Sequence, residues 1–220
     1  MPHNFKKFEA LTYTQQEMLE KSRSFFALMD QRRSVREFSD KPVAKEVIEN
    51  IVCTASTAPS GAHKQPWTFC IVSDAAIKKQ IRTAAEAEEK ESYANRMSDE
   101  WLKDLEKFAT NWEKPFLEKA PYLIIIFKKI YDLDVDGDKH TNYYVQESVG
   151  IAAGMLISAI HQAGLVTLTH TPSPMNFLTK VLNRPINEKP FLLLPVGYAS
   201  ADAEVPILER KSLQDISVWY

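Results

Sequence analysis

Glycine is scarce in this chain, with six among 220 residues. Neither G-x-G-x-x-G nor G-x-x-x-x-G-K-[ST] occurs. Both motifs need glycine to bring backbone amides against phosphate, so a Rossmann dinucleotide fold and a P-loop are not expected. There are two cysteines, Cys53 and Cys70, both in apolar surroundings. Two cysteines make no disulfide framework, which points to a reducing compartment. The five histidines show no metal-ligand spacing with one another or with the cysteines, so no metal is expected. Neither sign of charge dominates: the formal net charge is -2, which offers no basic surface to nucleic acid. No apolar run reaches the ~20 residues that cross a bilayer. The longest are PYLIIIF (121–127), VGIAAGMLISAI (149–160) and PFLLLPVGY (190–198). The opening MPHNFKKFEALTYTQQ lacks the apolar core of a signal peptide. A cytoplasmic protein that engages neither membrane nor nucleic acid is expected.

What is present is ordinary for a chain that buries a real core: 45% hydrophobic and 25% charged residues. One domain over residues 1–220 is expected. Residues 14–30 and 43–57 read as helices, the second with Val43, Val47, Ile48, Ile51 and Val52 on one face. WTFCIVS (67–73) reads as a strand, and Ser73-Asp74 as the cap of the next helix. Residues 75–120 are helical in composition, with an apolar stripe of Met97, Trp101, Leu105, Phe108 and Trp112. PYLIIIF is a buried strand, 131–140 a charged loop, and roughly 141–163 a long helix with Gly150, Ala152, Ala153 and Gly154 packed tightly. LVTLTHT and PFLLLPVGY are further strands, with a short helix between them. The tail 199–220 has too little apolar periodicity to fold alone. Helices alternating with strands give an α/β or α+β class around a central sheet.

Four local patterns carry chemistry. Arg32, Arg33, Ser34 and Arg36 put three guanidiniums and a hydroxyl within five residues, enough to hold a phosphate or to form a solvated basic loop. Ser60-Gly61-Ala62 offers closely spaced N–H groups without bulk, which suits either a helix-ending turn or a floor for a flat ring. Glu89 and Tyr93 lie four apart on one helix face, and Lys114 follows beyond a second helical stretch. Carboxylate, phenol and ammonium together can grip a zwitterion, or simply belong to a solvated face. Thr167, Thr169 and Thr171 alternate along a strand and so point to one side.

Together RRSVREF, ASTAPSGAHKQPWTF, EEKESYANRM, TNWEKPFLEKAPYLIIIFK, AGLVTLTHTP, and LLLPVGY followed by VPILERK resemble the nitroreductase-like flavoproteins. Within them the Glu89, Tyr93 and Lys114 trio resembles the iodotyrosine deiodinase branch. The resemblance runs from about Arg32 to Lys211. It implies an α+β fold with a mainly antiparallel central sheet surrounded by helices, working as an intertwined homodimer with FMN at the subunit interface. It implies an active-site lid at about 86–116 and a C-terminal arm at about 199–220. Arg32, Arg33, Ser34, Arg36 and Arg210 would hold the phosphate and ribityl side of FMN. Ser60 and Gly61 would line the flavin, Thr169, His170 and Thr171 would face it, and Thr171 would donate to N5. Glu89, Tyr93 and Lys114 would clamp the amino-acid end of a halotyrosine, and the Ala62 N–H would meet its phenolate. The implied activity is FMN-dependent reductive dehalogenation, with an external reductase or NAD(P)H as electron source. The alternative is a general NAD(P)H-dependent FMN nitroreductase. One departure is His170, where the deiodinase pattern has a third threonine.

Overall fold

The structure, a computed structural model, describes residues 4–220. It divides into two compact units, one ending at Arg32 and one spanning Arg33–Tyr220. The first contains helix α1 (Gln15–Asp30). Thr14 caps it in a capping box: its hydroxyl accepts from the Glu17 N–H at 3.3 Å, and the Glu17 carboxylate accepts from the Thr14 N–H at 2.8 Å. No residue of α1 is buried, and Met18, Leu19, Phe25 and Phe26 are exposed.

The second unit runs α2 (Lys45–Ser56), β1 (Trp67–Val72), α3 (Ala75–Glu91), α4 (Asp99–Glu106), α5 (Phe116–Lys119), β2 (Tyr122–Lys129), β3 (Tyr131–Leu133), β4 (Lys139–Thr141), α6 (Val145–Gln162), β5 (Val166–Thr167), α7 (Asn176–Val181), β6 (Glu188–Gly197) and α8 (Leu213–Ile216). Four strands form one antiparallel sheet in the order β1-β2-β6-β5. The PYLIIIF run makes β2 a central strand with both faces covered. Ile124 and Ile126 pack with α2 and α6 on one face. Leu123, Ile125 and Phe127 pack with α3, α5 and α7 on the other. All five are fully buried. Each such side chain stabilises the fold by roughly 1.5–3 kcal/mol relative to exposure. This is why the run shows no alternation.

Asp74 caps α3, its carboxylate accepting from the Ile77 N–H at 2.9 Å. Lys78 on the same helix is buried and donates to the carbonyls of Glu118 and Ala120 at 2.9 and 2.8 Å, which ties α3 to the end of α5. The helical composition of 75–120 is realised in pieces, with a break between α4 and α5. The charged stretch 131–140 is a hairpin rather than a loop, β3 pairing with β4. Asp134 makes its turn: Oδ1 accepts from the N–H groups of Asp136 and Asp138 at 3.0 and 2.9 Å. In α6 the buried face is Ser148, Val149, Ala152, Ala153, Leu156 and Ile160. Gly150 and Gly154 lie elsewhere on the helix, and a Cβ on either would meet nothing within 4 Å. Within the chain these glycines are therefore not packing contacts. Among the described residues no helix is long and apolar enough to cross a membrane.

Candidate active site

The end of α3 and the π turn that continues it (Ser92–Arg96) carry Glu89 and Tyr93. The Met97 N–H donates to the Ser92 carbonyl at 2.9 Å to close that turn. Such turns concentrate at functional sites. Lys114 comes from the segment before α5. Glu86 holds it: Oε1 accepts from the Lys114 backbone N–H at 2.7 Å and from Arg82 Nε at 2.7 Å. Lys114 Nζ then lies 3.4 Å from Glu89 Oε2 and 5.6 Å from the centre of the Tyr93 ring, and donates to the Asn111 carbonyl. The Lys114 and Glu89 side chains are 5% and 12% exposed. Burial pushes the Lys114 amine down and the Glu89 carboxyl up, and each partner's charge only partly opposes this. Burial likewise raises the Tyr93 phenol. A charged pair this dry is poor evidence of a stabilising role, because desolvation offsets its attraction.

Beside the pair opens a cavity of about 250 Å³, lined by Arg36, Glu89, Tyr93, Lys114, Thr169, His170 and Thr171 among others. Met97, Trp101 and Leu105 also line it. The first three residues of the apolar stripe are thus a cavity wall and not core: α4 has no buried residue, and Trp101 is 52% exposed.

Backbone pairing brings the arginine segment to the threonine segment. The Val35 N–H donates to the Thr167 carbonyl at 3.2 Å, and Ser34 bridges Thr167 in parallel. Arg33 is half-buried. Arg36 is half-buried too, with its guanidinium 5.8 Å from the Phe108 ring centre. Among the described residues it forms no ion pair. Arg32 ends the first unit.

Thr169 and Thr171 are exposed, whereas Thr167 is buried where it pairs with Val196 of β6. The row of three hydroxyls is therefore a row of two. His170 exchanges backbone hydrogen bonds with Leu193 at 2.9 and 3.2 Å. Its ring turns inward against Phe116, edge-on at 5.6 Å and 85°. Its Nε2 has no hydrogen-bond partner. Burial, then the charges of Lys114 and Arg36, push its pKa to about 3, so the imidazole is neutral. The histidine thus occupies the buried side of a segment whose two exposed threonines face the other way.

Ser60, Gly61 and Ala62 sit apart from this cavity. The Gly61 N–H donates to Ser148 Oγ at 3.3 Å. A Cβ on Gly61 would lie 2.9 Å from the Tyr143 carbonyl oxygen and 2.9 Å from Tyr144 Cδ2, so close approach of the chain before α6 explains this glycine. Ser60 Oγ accepts from the Gln65 N–H at 2.9 Å. Ala62 is held at φ 49°, ψ 30°, a left-handed conformation uncommon for a residue with a Cβ. Arg210 lies on the exposed C-terminal arm, also away from the cavity. Sequence reasoning missed Glu86, which holds Lys114, and Ser92, which lines the cavity. In the run EAEEKESYANR every acid looks alike, and only the Arg82–Glu86 spacing of four hinted at a fixed carboxylate.

The nitroreductase family model matches residues 29–198. An iodotyrosine deiodinase of Haliscomenobacter hydrossis is 62% identical over 216 residues, covering 98% of this chain and 97% of that protein. The iodotyrosine deiodinase of Nematostella vectensis is 52% identical over 208 residues, covering 93% and 78%. Iodotyrosine deiodinase 1 of Homo sapiens is 47% identical over 207 residues, covering 94% and 72%. A crystal structure of oxidized iodotyrosine deiodinase bound to FMN and 3-iodo-L-tyrosine superposes with a TM-score of 0.75 at 32% identity, covering 86% of this chain and 96% of that one. The chain belongs to the nitroreductase family and, within it, to the iodotyrosine deiodinases.

Proposed function

We propose that this chain is an FMN-dependent oxidoreductase that removes halide from iodo- or bromotyrosine, giving tyrosine. The observation that carries the reading is the buried Glu89–Lys114 pair with Tyr93, opening on the same cavity as Thr169 and Thr171. Glu89 receives the ammonium of the amino acid, while Lys114 and Tyr93 receive its carboxylate. A zwitterion restores to each buried charge the partner that desolvation leaves underpaid. Replacing an aryl halogen by hydrogen takes two electrons and a proton and releases halide. FMN, when bound, supplies the electrons that side chains cannot.

The residues suit that cofactor. Arg36 is a half-buried cation with no carboxylate partner among the described residues, beside two exposed threonine hydroxyls on the same cavity. We assign Arg32, Arg33, Ser34 and Arg36, with Arg210, to the phosphate and ribityl side. Thr169 and Thr171 would face the flavin ring, with the Thr171 hydroxyl as the hydrogen-bond donor to it, and His170 would serve through its backbone. Ser60, Gly61 and the Ala62 N–H complete the floor from a second copy of the chain. A split site accounts for their distance from the cavity within one chain. The exposed apolar residues of α1 and the arm, including Ile216, Val218 and Trp219, and the open Gly150–Gly154 face give an intertwined homodimer the surface it needs. Both cysteines are free, in keeping with a cytoplasmic setting. The electron source is an external reductase or NAD(P)H.

The test is direct. FMN-loaded protein reduced with dithionite should release iodide from 3-iodo-L-tyrosine at a rate that saturates with substrate. Reduced protein that leaves iodotyrosine intact would refute the activity.

A further inference from the structure

The helix that carries the clamp presents two neighbouring stripes. Glu89 and Tyr93 face the cavity. One position earlier, Glu88 and Ser92, followed by Arg96, face the chain just beyond Thr171. Arg96 Nη1 donates to Glu88 Oε2 at 3.0 Å and to the Ser173 carbonyl at 2.9 Å. Ser92 Oγ donates to the same Ser173 carbonyl at 3.4 Å. Two donors from the clamp helix therefore converge on one oxygen, two residues along from Thr171. Resting on the function proposed above, we propose that Arg96, aided by Ser92, couples the substrate clamp to the flavin-facing Thr171 segment, with Arg96 as the positioning residue.

The chemistry of each part suits the task. A carbonyl oxygen has two lone pairs, and both are engaged here. The guanidinium is a rigid fork that can serve two acceptors at once, and Glu88 keeps it from swinging into solvent. Ser92 is buried, and its contact with the exposed Ser173 is partly so. Both ties leave from the π turn that also bears Tyr93. A displacement of Tyr93 and Glu89 is thus passed to Ser173 and on to Thr171. A substrate seated between Glu89, Tyr93 and Lys114 holds the Thr171 hydroxyl still. An empty clamp lets both segments slacken together. Arg96 is not among the residues lining the cavity, so it acts on turnover through Thr171.

The experiment compares wild type with Arg96→Ala and Arg96→Lys, each full-length and FMN-loaded. Amide hydrogen exchange is measured first, without substrate. Arg96→Ala should speed exchange severalfold both in 92–97 and at the His170 N–H, which borders Thr171 and donates to the Leu193 carbonyl. Acceleration confined to 92–97, or none, would overturn the coupling. Iodide release from 3-iodo-L-tyrosine is measured next. Losing one charge-assisted hydrogen bond at a half-exposed site should lower kcat roughly fivefold to tenfold, with KM changed by less than about threefold. Arg96→Lys keeps the charge beside Glu88 but not the fork, and should restore part of kcat. A raised KM at unchanged kcat would make Arg96 a binding residue and overturn the proposal. The exchange comparison needs no substrate. It therefore decides the coupling even where wild type releases no iodide, a result that would overturn the proposed function alone.

Discussion

Replacing Glu89 or Lys114 singly should destabilise the protein, whereas replacing both should not. Their charges are 3.4 Å apart, which at an effective dielectric of about 20 is worth about 5 kcal/mol of attraction. Each ion has given up several kcal/mol of hydration to reach that position, so the pair as a whole contributes near zero. Glu89→Gln leaves the ammonium with the Asn111 carbonyl and the Tyr93 ring. The cost should be roughly 2–3 kcal/mol, below that of a fully enclosed pair because this one borders a cavity. For a chain of this size that is about 4–12 °C in Tm. Lys114→Met leaves the carboxylate unpaired. The folded-state pKa of Glu89 is already raised by burial, so between the unfolded and folded pKa values the folded protein keeps a proton that the unfolded chain has lost. Such a group favours folding at low pH and loses that contribution as pH rises through its folded pKa. Removing Lys114 raises that pKa further, so Lys114→Met should cost more stability at pH 8 than at pH 5. The double variant Glu89→Leu/Lys114→Met should lie within about 1 kcal/mol of wild type, or above it. It should bind 3-iodo-L-tyrosine at least about 100-fold more weakly. Urea unfolding at fixed protein and FMN concentration gives the first quantity, and flavin fluorescence titration the second. A double variant as unstable as either single would show that the pair serves the fold, and the clamp reading would fail.

His170 should impose a pH dependence of its own. Its folded-state pKa is about 3 against an ordinary 6.5, so the unfolded chain binds a proton that the fold refuses between those values. Stability should fall as pH drops from 6.5 toward 3, and His170→Thr should flatten that slope in urea unfolding series; an unchanged slope would contradict the buried neutral ring. Gly61→Ala drives a Cβ to 2.9 Å from the Tyr143 carbonyl, which cannot yield as the Tyr144 ring can. It should cost roughly 1–3 kcal/mol in chemical unfolding. Gly154→Ala meets nothing within the chain and gains up to ~1 kcal/mol of helix propensity, so a protein that worked as a monomer would become more stable. For the proposed homodimer it should instead weaken self-association, read by sedimentation; unchanged association with a higher Tm would place the dimer interface elsewhere.

The elements that could be read from the chain are those whose evidence is local. PYLIIIF is apolar throughout because both faces of β2 are covered, and Asp74 announces α3 because a cap acts within one turn. Glu89 and Tyr93 share a helix face by spacing alone, so two of the three residues of the proposed clamp were visible as a pattern. The remainder depended on which distant segments meet. Lys114 reaches Glu89 only because Glu86 grips its backbone and Lys78 ties α3 to α5. Thr167 left the row of hydroxyls when it paired with β6, and His170 turned inward against Phe116. Gly61 is dictated by Tyr143 and Tyr144, far along the chain and invisible from its neighbours. The stripe from Met97 to Leu105 shows the same limit: periodicity records that one face is apolar, not whether core or cavity lies against it. By itself the sequence determined the element types, the buried strands and the kinds of group available for chemistry, because propensity, capping and periodicity act over a few residues. Only the tertiary structure decided which carboxylate meets which ammonium and how dry they are, because those depend on contacts between segments far apart in the chain.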